Sequence, residues 1–372
     1  MGITRVGNIT GLDHIGIPVA IAVRPNSRSV SVSQGKGLDL PQAMASALME
    51  ACEGFHAETA GPFRHATYRA LAATQTVVDP GTLSPGARPF DPDWSIPWIA
   101  GYDLLRRERC WVPAETVHTD YTQAQPDGFF LAGTNGLASG NNLIEAINAA
   151  LYELVERDAL ALWALRRIEE RTASIVDLAS VDDADCRELL GKYEAAGVAV
   201  TAWNVTTDIG IAAFLCEIRD RAGSDPGRLR RFHGSGCHVD RGIALARALT
   251  EAAQTRLAYI AGVRDDLSLA EYESTEPPNE EITHALHAAL AREFGAAAFA
   301  SVPSLADDDL GGDLRWLLAR LSASGIDRVI AVDLTRPEIE VPVVRLIVPG
   351  LEWDPHHPNY RPGSRARFWA GR

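Results

Sequence analysis

Apolar and polar positions change their period along the chain, and each change marks an element. Residues 17–23 run almost unbroken in apolar side chains and residues 28–33 alternate, with Arg24-Pro25-Asn26-Ser27 between them in turn composition, so two strands are expected. A helical period starts near Pro41 and runs to His56, carried by Ala43, Ala45, Ala47 and Leu48 after the Gly35-Lys36-Gly37 turn. A second helix is expected from Leu143 to about Arg167, its apolar stripe made of Leu143, Ile147, Leu151, Leu154 and Ala161. It follows a Gly/Asn/Ser-rich turn over residues 133–142.

Residues 198–205 and 209–218 read as paired strands joined by Thr206-Thr207-Asp208. Gly234-Ser235-Gly236 then precedes a third helix over residues 241–261. A last helix is expected at 313–324, followed by strands at 327–334 and 341–348. The stretch 78–97 holds Pro80, Pro85, Pro89, Pro92 and Pro97 with Gly81 and Gly86, which predicts a long irregular loop or lid. The tail over 349–372 is rich in Pro and Arg and is expected to be irregular. Nothing in the pattern splits the chain, so one α/β domain over residues 1–372 is expected.

The charges on the three long helices change this picture. At about 100° of advance per residue, Ser46, Glu50 and Glu53 share an arc of about 60° on the first helix. Glu145, Glu153 and Glu156 share about 80° on the second, with Arg157 beside them. Arg247, Glu251 and Gln254 share about 60° on the third, and Arg256 faces away. A charged stripe on a single helix ordinarily marks its solvated face. Two features argue otherwise here: the second helix is otherwise strongly apolar, and each stripe follows a Gly-containing turn where ligand contacts concentrate. If the three faces converge, six carboxylates share one space and require cations between them. Oxygen ligands of that kind suit Mg²⁺, and the interspersed arginines suit phosphate, so the set is coherent for a nucleoside triphosphate. Neither GxxxxGK[ST] nor a strand-linked GxGxxG occurs in the chain.

Composition narrows the class. Thirty-five Lys and Arg against 49 Asp and Glu leave a net charge of −14, which disfavours a nucleic-acid or anionic-membrane binder. Cys52, Cys110, Cys186, Cys216 and Cys237 lack CxxC spacing, and no run is long enough to span a bilayer, so a reduced, cytoplasmic protein is expected. Cys52 lies about 200° round the helix from Glu50 and reads as core. Cys237-His238 has no third partner at ligand spacing, and His356-His357 reads as solvated tail. Trp94, Trp98 and Trp111 read as packing residues, and Glu276-Pro277-Pro278-Asn279-Glu280-Glu281 as a solvated loop.

Taken in order, these segments resemble the YcaO family, ATP-dependent enzymes that activate peptide backbone amides. Ser46-Ala-Leu-Met-Glu50-Ala-Cys-Glu53 resembles the first of its three helical ATP-binding motifs, with Gly54 where the family usually carries Arg. Glu145 with Glu153-Leu-Val-Glu156-Arg157-Asp158 resembles the second. Arg247-Ala-Leu-Thr-Glu251-Ala-Ala-Gln254, with Arg264-Asp265-Asp266 after it, resembles the third. Ser33-Gln-Gly-Lys36-Gly, Asn135-Gly-Leu-Ala-Ser139-Gly and Val348-Pro-Gly-Leu-Glu352 are similar to flanking pieces. The resemblance implies a YcaO-type fold of mixed sheets and helices around a carboxylate-lined ATP site. It implies Mg²⁺ ligation by Glu50, Glu53, Glu145, Glu153 and Glu156. It places ATP against Lys36, Ser46, Arg157, Arg247 and Gln254, with Glu251 ligating metal or orienting Arg247. It names no catalytic side chain.

The chemistry so implied is phosphorylation of an amide oxygen, after which a nucleophile displaces phosphate. A side-chain nucleophile gives an azoline, a sulfide source a thioamide and an amine an amidine. Azoline-forming members resemble one another in a Pro-x-Pro-x-Pro terminus, whereas Pro355, Pro358 and Pro362 do not form that pattern here. The chain looks most like members paired with a TfuA-type partner, so thioamide formation is expected ahead of cyclodehydration or amidine formation. A peptide substrate, a sulfide source and a homodimer are expected with it. The competing class is a non-catalytic peptide-binding or regulatory subunit, for which Gly54 is the one feature.

Overall fold

The computed structural model describes residues 1–122, 128–221, 231–262, 296–305, 309–355, 357 and 359–371. Arg264-Asp265-Asp266, the Glu276 to Glu281 run and His356 lie outside these described residues. Strands β1 (Arg5–Asn8), β2 (Val19–Val23) and β3 (Val32–Lys36) form an antiparallel sheet in that order. Helix α1 (Leu40–Glu58) lies across it, opened by Asp39, whose carboxylate accepts from the Gln42 N–H at 2.8 Å. Small side chains set the approach: Ala20 and Ala22 of the sheet meet Ala43, Ala47 and Ala51 of the helix. A Cβ on Gly35 would lie 2.1 Å from the Ala43 carbonyl oxygen and the Ala47 nitrogen, so this contact admits only glycine.

The chain continues through β4 (Arg64–Thr67), α2 (Tyr68–Ala72), β5 (Ser95–Asp103), β6 (Glu108–Pro113), β7 (Leu137–Ser139) and α3 (Leu143–Ala164). Then come α4 (Ile168–Ala173), β8 (Val176–Asp177), α5 (Ala184–Ala195), β9 (Val198–Asn204), β10 (Ala212–Asp220), β11 (Phe232–His238) and α6 (Arg241–Ala261). After β12 (Ala297–Ala298) follow α7 (Leu310–Ala323), β13 (Ile330–Asp333), β14 (Val343–Ile347) and α8 (Ser364–Ala370). The larger sheet runs β4-β5-β13-β14-β7, with β6 also on β5. A further antiparallel sheet runs β11-β10-β9, and β12 pairs with β8 in parallel.

Helix α3 is the hub. Its Leu151, Val155 and Ala159 share one core with Leu317 and Leu321 of α7, Val344 and Leu346 of β14, and Ala213 of β10. A second core joins Phe214, Cys216 and Ile218 of β10 to Leu245, Ala248, Leu249 and Ala252 of α6. A third gathers Trp98, Ile99, Val112, Ile330, Val332 and Val343 on the larger sheet. Helix α6 presses so closely on β11 that a Cβ on Gly236 would lie 2.1 Å from the Ala244 carbonyl oxygen. On its far face Arg256, 2% exposed, pairs with Asp13 at 2.9 Å and Asp220 at 3.0 Å, so the residue expected to face away does so into a buried ion pair.

Several expectations are corrected. The second expected strand lies four residues later, at β3, because Ser27 and Ser29 are drawn into a turn by hydrogen bonds to Glu58. Helix α3 stops at Ala164 rather than near Arg167, and the side chain of Arg171 from α4 donates to the Ala164 carbonyl. Gly234-Ser235-Gly236 is not a loop but the middle of β11. The Pro-rich stretch holds a 3₁₀ turn at Pro80–Thr82, and its last residues begin β5, where Pro97 sits opposite His65 near the strand's start. Trp98 is core, whereas Trp94 is 48% exposed with Arg88 over its ring. The tail is not irregular throughout. It forms α8, which Arg365 ties to Asp158 and Asp208 while Glu352 accepts from the Gly363 and Ala366 N–H groups.

The fit of α6 on β11 yields a direct expectation. Gly236→Ala should cost about 1–3 kcal/mol by overpacking. Guanidinium denaturation checks this, and an unchanged midpoint would show that the helix can retreat without loss.

Candidate functional site

Each glutamate of the three stripes meets a backbone N–H or a serine hydroxyl from a neighbouring strand or turn. On α1, Glu50 accepts from the Gln34 N–H of β3 at 3.0 Å. One turn on, Glu53 accepts from both the N–H and the hydroxyl of Ser139, at 2.8 and 2.6 Å, at the end of β7. On α3, Glu153 accepts from the Gly136 N–H at 3.2 Å, and Glu156 from the Ser235 hydroxyl at 2.6 Å. On α6, Glu251 accepts from the N–H and the hydroxyl of Ser235, both at 3.1 Å. Ser235 in β11 therefore stands between a glutamate of α3 and one of α6.

The cationic residues lie along the same row. The Lys36 ammonium at the end of β3 pairs with Glu251. Arg157 is 4.0 Å from Glu153 and 3.5 Å from Asp354. The Arg247 Nε is buried and has no hydrogen-bond partner among the described residues. Ser46 and Gln254 are half-buried, one turn from Glu50 and from Glu251 respectively. Glu145 stands apart from this row. It occupies the first turn of α3, two turns and roughly 12 Å before Glu153, and its carboxylate accepts from the backbone and side chain of Asn141.

The carboxylates along this row also act on one another electrostatically. Burial, the largest influence, pushes the Glu53 carboxyl up to about 8, aided by the charges of Glu50 and Glu153 and opposed by Ser139. Burial likewise raises Glu153 and Glu156, with Glu251 adding to the rise at Glu156. At Glu251 burial works upward too, but the charges of Lys36 and Arg157 outweigh it and bring the carboxyl down to about 2. Burial works to lower Arg157, and Glu156, Glu153 and Glu251 outweigh it, so its guanidinium is held more firmly charged. The Glu50, Glu53, Glu153, Glu156 and Glu251 carboxylates thus feel one another in sequence across three helices.

Gly54, where an arginine was expected, has a guanidinium against it from elsewhere. A Cβ at this position would start 3.3 Å from Arg24 Nη2, and Arg24, 4% exposed, binds Glu58 through two nitrogens at 2.6 and 2.7 Å. This pair lies about 100–140° round α1 from Glu53, beside the carboxylate row rather than in it. Cys52 is buried with its Sγ 3.5 Å from His56 Nδ1. Cys237 is buried, and burial drives its thiol well above the ordinary value. His238 packs on the Tyr152 ring at 4.5 Å and accepts from the Asp240 N–H, which suits packing and not ligation. Ser139, Ser235, Asp354 and Arg345 were not read as site residues from the sequence. They sit in strands and loops whose partners are far away in the chain, and no period marks them.

Among the described residues no three His, Cys, Asp or Glu side chains close on one point as a ready-made metal cage. The unpartnered Arg247 Nε is a buried donor of the kind a phosphate satisfies. Carboxylates in a row with guanidinium groups among them have the donor chemistry that a divalent cation and a polyphosphate require.

A family model described as YcaO cyclodehydratase, ATP- and Mg²⁺-binding, matches residues 34–352. The chain belongs to the YcaO family. It is 38% identical over 385 residues to an uncharacterized protein in the tfuA 3′ region of Rhizobium leguminosarum bv. trifolii, covering 98% of this chain and 87% of that protein. It is 38% identical over 358 residues to a protein of Methanothermobacter thermautotrophicus, covering 95% and 90%. Among solved structures, a heterocyclase in complex with substrate and cofactor superposes with a TM-score of 0.77 at 24% identity, over 94% of this chain. The chain spans half (50%) of that heterocyclase chain. YcaO from Methanopyrus kandleri, bound with AMPPCP and Mg²⁺, superposes at 0.69 with 23% identity, over 94% of this chain and 86% of that one. At these identities the two structures speak to the fold, which is the mixed α/β fold expected. Among the described residues no helix is long and apolar enough to cross a membrane.

The Glu53 shift has a pH consequence. The unfolded chain loses this proton near 4.5, whereas the metal-free folded protein keeps it to about 8. In that window the folded state binds the extra proton, so its stability falls as pH rises. Urea denaturation across this range should show the fall in the wild type and a shallower one in Glu53→Gln. Equal slopes would refute the shifted carboxyl.

Proposed function

We propose that this chain activates a peptide backbone amide with Mg·ATP, and that its product is a thioamide formed with a TfuA-type partner and a sulfide source. The observation that carries the first part is the convergence of Glu53, Glu153, Glu156 and Glu251 from three helices, with Arg157 and Arg247 among them. The thioamide part is supported by the 38% identical relative in the tfuA 3′ region. The unit is taken as one catalytic domain of a cytoplasmic homodimer.

In this reading Glu50, Glu53, Glu153 and Glu156 would hold Mg²⁺, whereas Glu145, engaged by Asn141 two turns before Glu153, lies off this row. Lys36, Ser46, Arg157, Arg247 and Gln254 face the phosphates, and Glu251 keeps Lys36 in place. Bound Mg·ATP supplies the phosphoryl group that turns the amide oxygen into a leaving group. The chain's own residues then orient the phosphates through guanidinium groups and offset the charge that develops. With hydrosulfide as nucleophile, a carbon–sulfur bond forms and the sulfur's proton is released. The carbon–oxygen bond breaks, and the oxygen leaves with its electron pair on phosphate. Product mass separates this outcome from an azoline, which loses water instead of exchanging oxygen for sulfur.

Calorimetric titration of ATP with and without Mg²⁺ tests the reading before any peptide is known. Binding that requires Mg²⁺ supports it, and absence of binding in both conditions favours a non-catalytic subunit. Glu153→Gln and Glu156→Gln should each abolish phosphate release while leaving the thermal midpoint within a few degrees. Unchanged release in either removes the metal assignment. Arg247→Ala should weaken ATP binding tenfold or more, given about 1.5–3 kcal/mol for a hydrogen bond to a charged group.

A further inference from the structure

Beside the carboxylate row lies a cavity of about 50 Å³ that none of the assigned residues uses. Arg345 of β14, Asn135, Thr116, Leu154, Glu352 and Trp353 are among the residues lining it. By the ~10–15 Å³ needed per water it has room for roughly three to five waters, the scale of a small inorganic anion. Two flanking sequence pieces, the one beginning at Asn135 and the one ending at Glu352, meet at this place.

Arg345 is the unusual member. It is 1% exposed, yet its Nε and Nη1 have no hydrogen-bond partner among the described residues, and it forms no ion pair there. Native proteins rarely leave a buried guanidinium unspent. Burial pushes its pKa down to about 10, so it remains charged at neutral pH. Glu153 is within electrostatic reach without pairing to it. The lining carboxylate, Glu352, is already engaged by the Tyr360 hydroxyl and by the Gly363 and Ala366 N–H groups. Thr116 spends its hydroxyl on the Pro113 carbonyl. The side chain of Asn135 makes no hydrogen bond to a described residue and adds a second open donor.

We propose that this cavity is a subsite for inorganic phosphate, with Arg345 as its anion-binding residue. The planar guanidinium fork matches two phosphate oxygens, and Arg345 lies within electrostatic reach of Glu153 at the edge of the carboxylate row. The proposal rests on the functional reading above for its role in turnover. The binding site itself is testable without ATP or peptide.

The experiment titrates inorganic phosphate, in the presence of Mg²⁺ to offset Glu153, into the wild type, Arg345→Met, Arg345→Lys and Trp353→Phe. Calorimetry and tryptophan fluorescence are read together with thermal midpoints. Saturable binding is expected in the wild type, at least tenfold weaker in Arg345→Met and intermediate in Arg345→Lys. Trp353→Phe should keep the affinity and lose most of the fluorescence change. Because Arg345→Met removes an unpaired buried charge, its midpoint should equal or exceed that of the wild type. Equal affinity in wild type and Arg345→Met, a full fluorescence response in Trp353→Phe, or a marked fall in the Arg345→Met midpoint would each overturn the subsite. So would binding of sodium hydrosulfide with none of phosphate. Should Arg345→Met fail to fold, its guanidinium is structural and the proposal falls. A wild type that binds phosphate but fails to bind Mg·ATP would instead overturn the amide-activation reading and leave the subsite standing.

Discussion

Carboxylates that crowd together in a partly buried space repel one another, and the rest of this structure is arranged around holding them there. Each is met by a donor from an element other than its own helix: Gln34 for Glu50, Ser139 for Glu53, Gly136 for Glu153 and Ser235 for Glu156 and Glu251. The strands therefore supply both the surfaces on which the helices pack and the hydrogen bonds that make their acidic faces tolerable. Even so, burial and the charges of Glu50 and Glu153 keep a proton on Glu53 into neutral pH.

Much of the site was legible because its residues obey the helical period. Glu153 and Glu156 stood out as rare charges on an otherwise apolar α3, and Glu251 followed Arg247 at one turn. Ser235 escaped because its bond to Glu156 spans 79 residues of sequence and its neighbours, Gly234 and Gly236, read as a turn. Those glycines are in fact what lets α6 lie against a strand. Arg345 sits in the buried strand β14, where nothing local distinguishes a functional arginine from an edge residue. The tail helix α8 is short and gains its order from Asp158, Asp208 and Glu352, remote partners that its own pattern does not announce. Five prolines hid the start of β5.

The departure at Gly54 gains a physical setting. The guanidinium of Arg24, delivered from the end of β2, stands against the bare backbone there and binds Glu58 one turn further along α1. The same Glu58 draws in Ser27 and Ser29, so the turn after β2 and the end of α1 are one hydrogen-bonded unit. The absence of a side chain at position 54 leaves room for that unit and does not disturb the face that carries Glu50 and Glu53. This weakens the single feature that spoke for a non-catalytic subunit.

The close contacts at Gly35 and Gly236 carry a lesson for anyone who diversifies this protein by directed evolution. Neither glycine has chemistry to offer a ligand, and a library built only from residues near the nucleotide would treat both as free positions. Yet the distance between each strand and its helix is set there, and with it the reach of Glu50 to Gln34 and of Glu251 to Ser235. Mutational tolerance should therefore be higher at exposed positions of α1 such as Ala45 and Leu48 than at these two silent ones. A randomised pool would lose its active members first through the glycines.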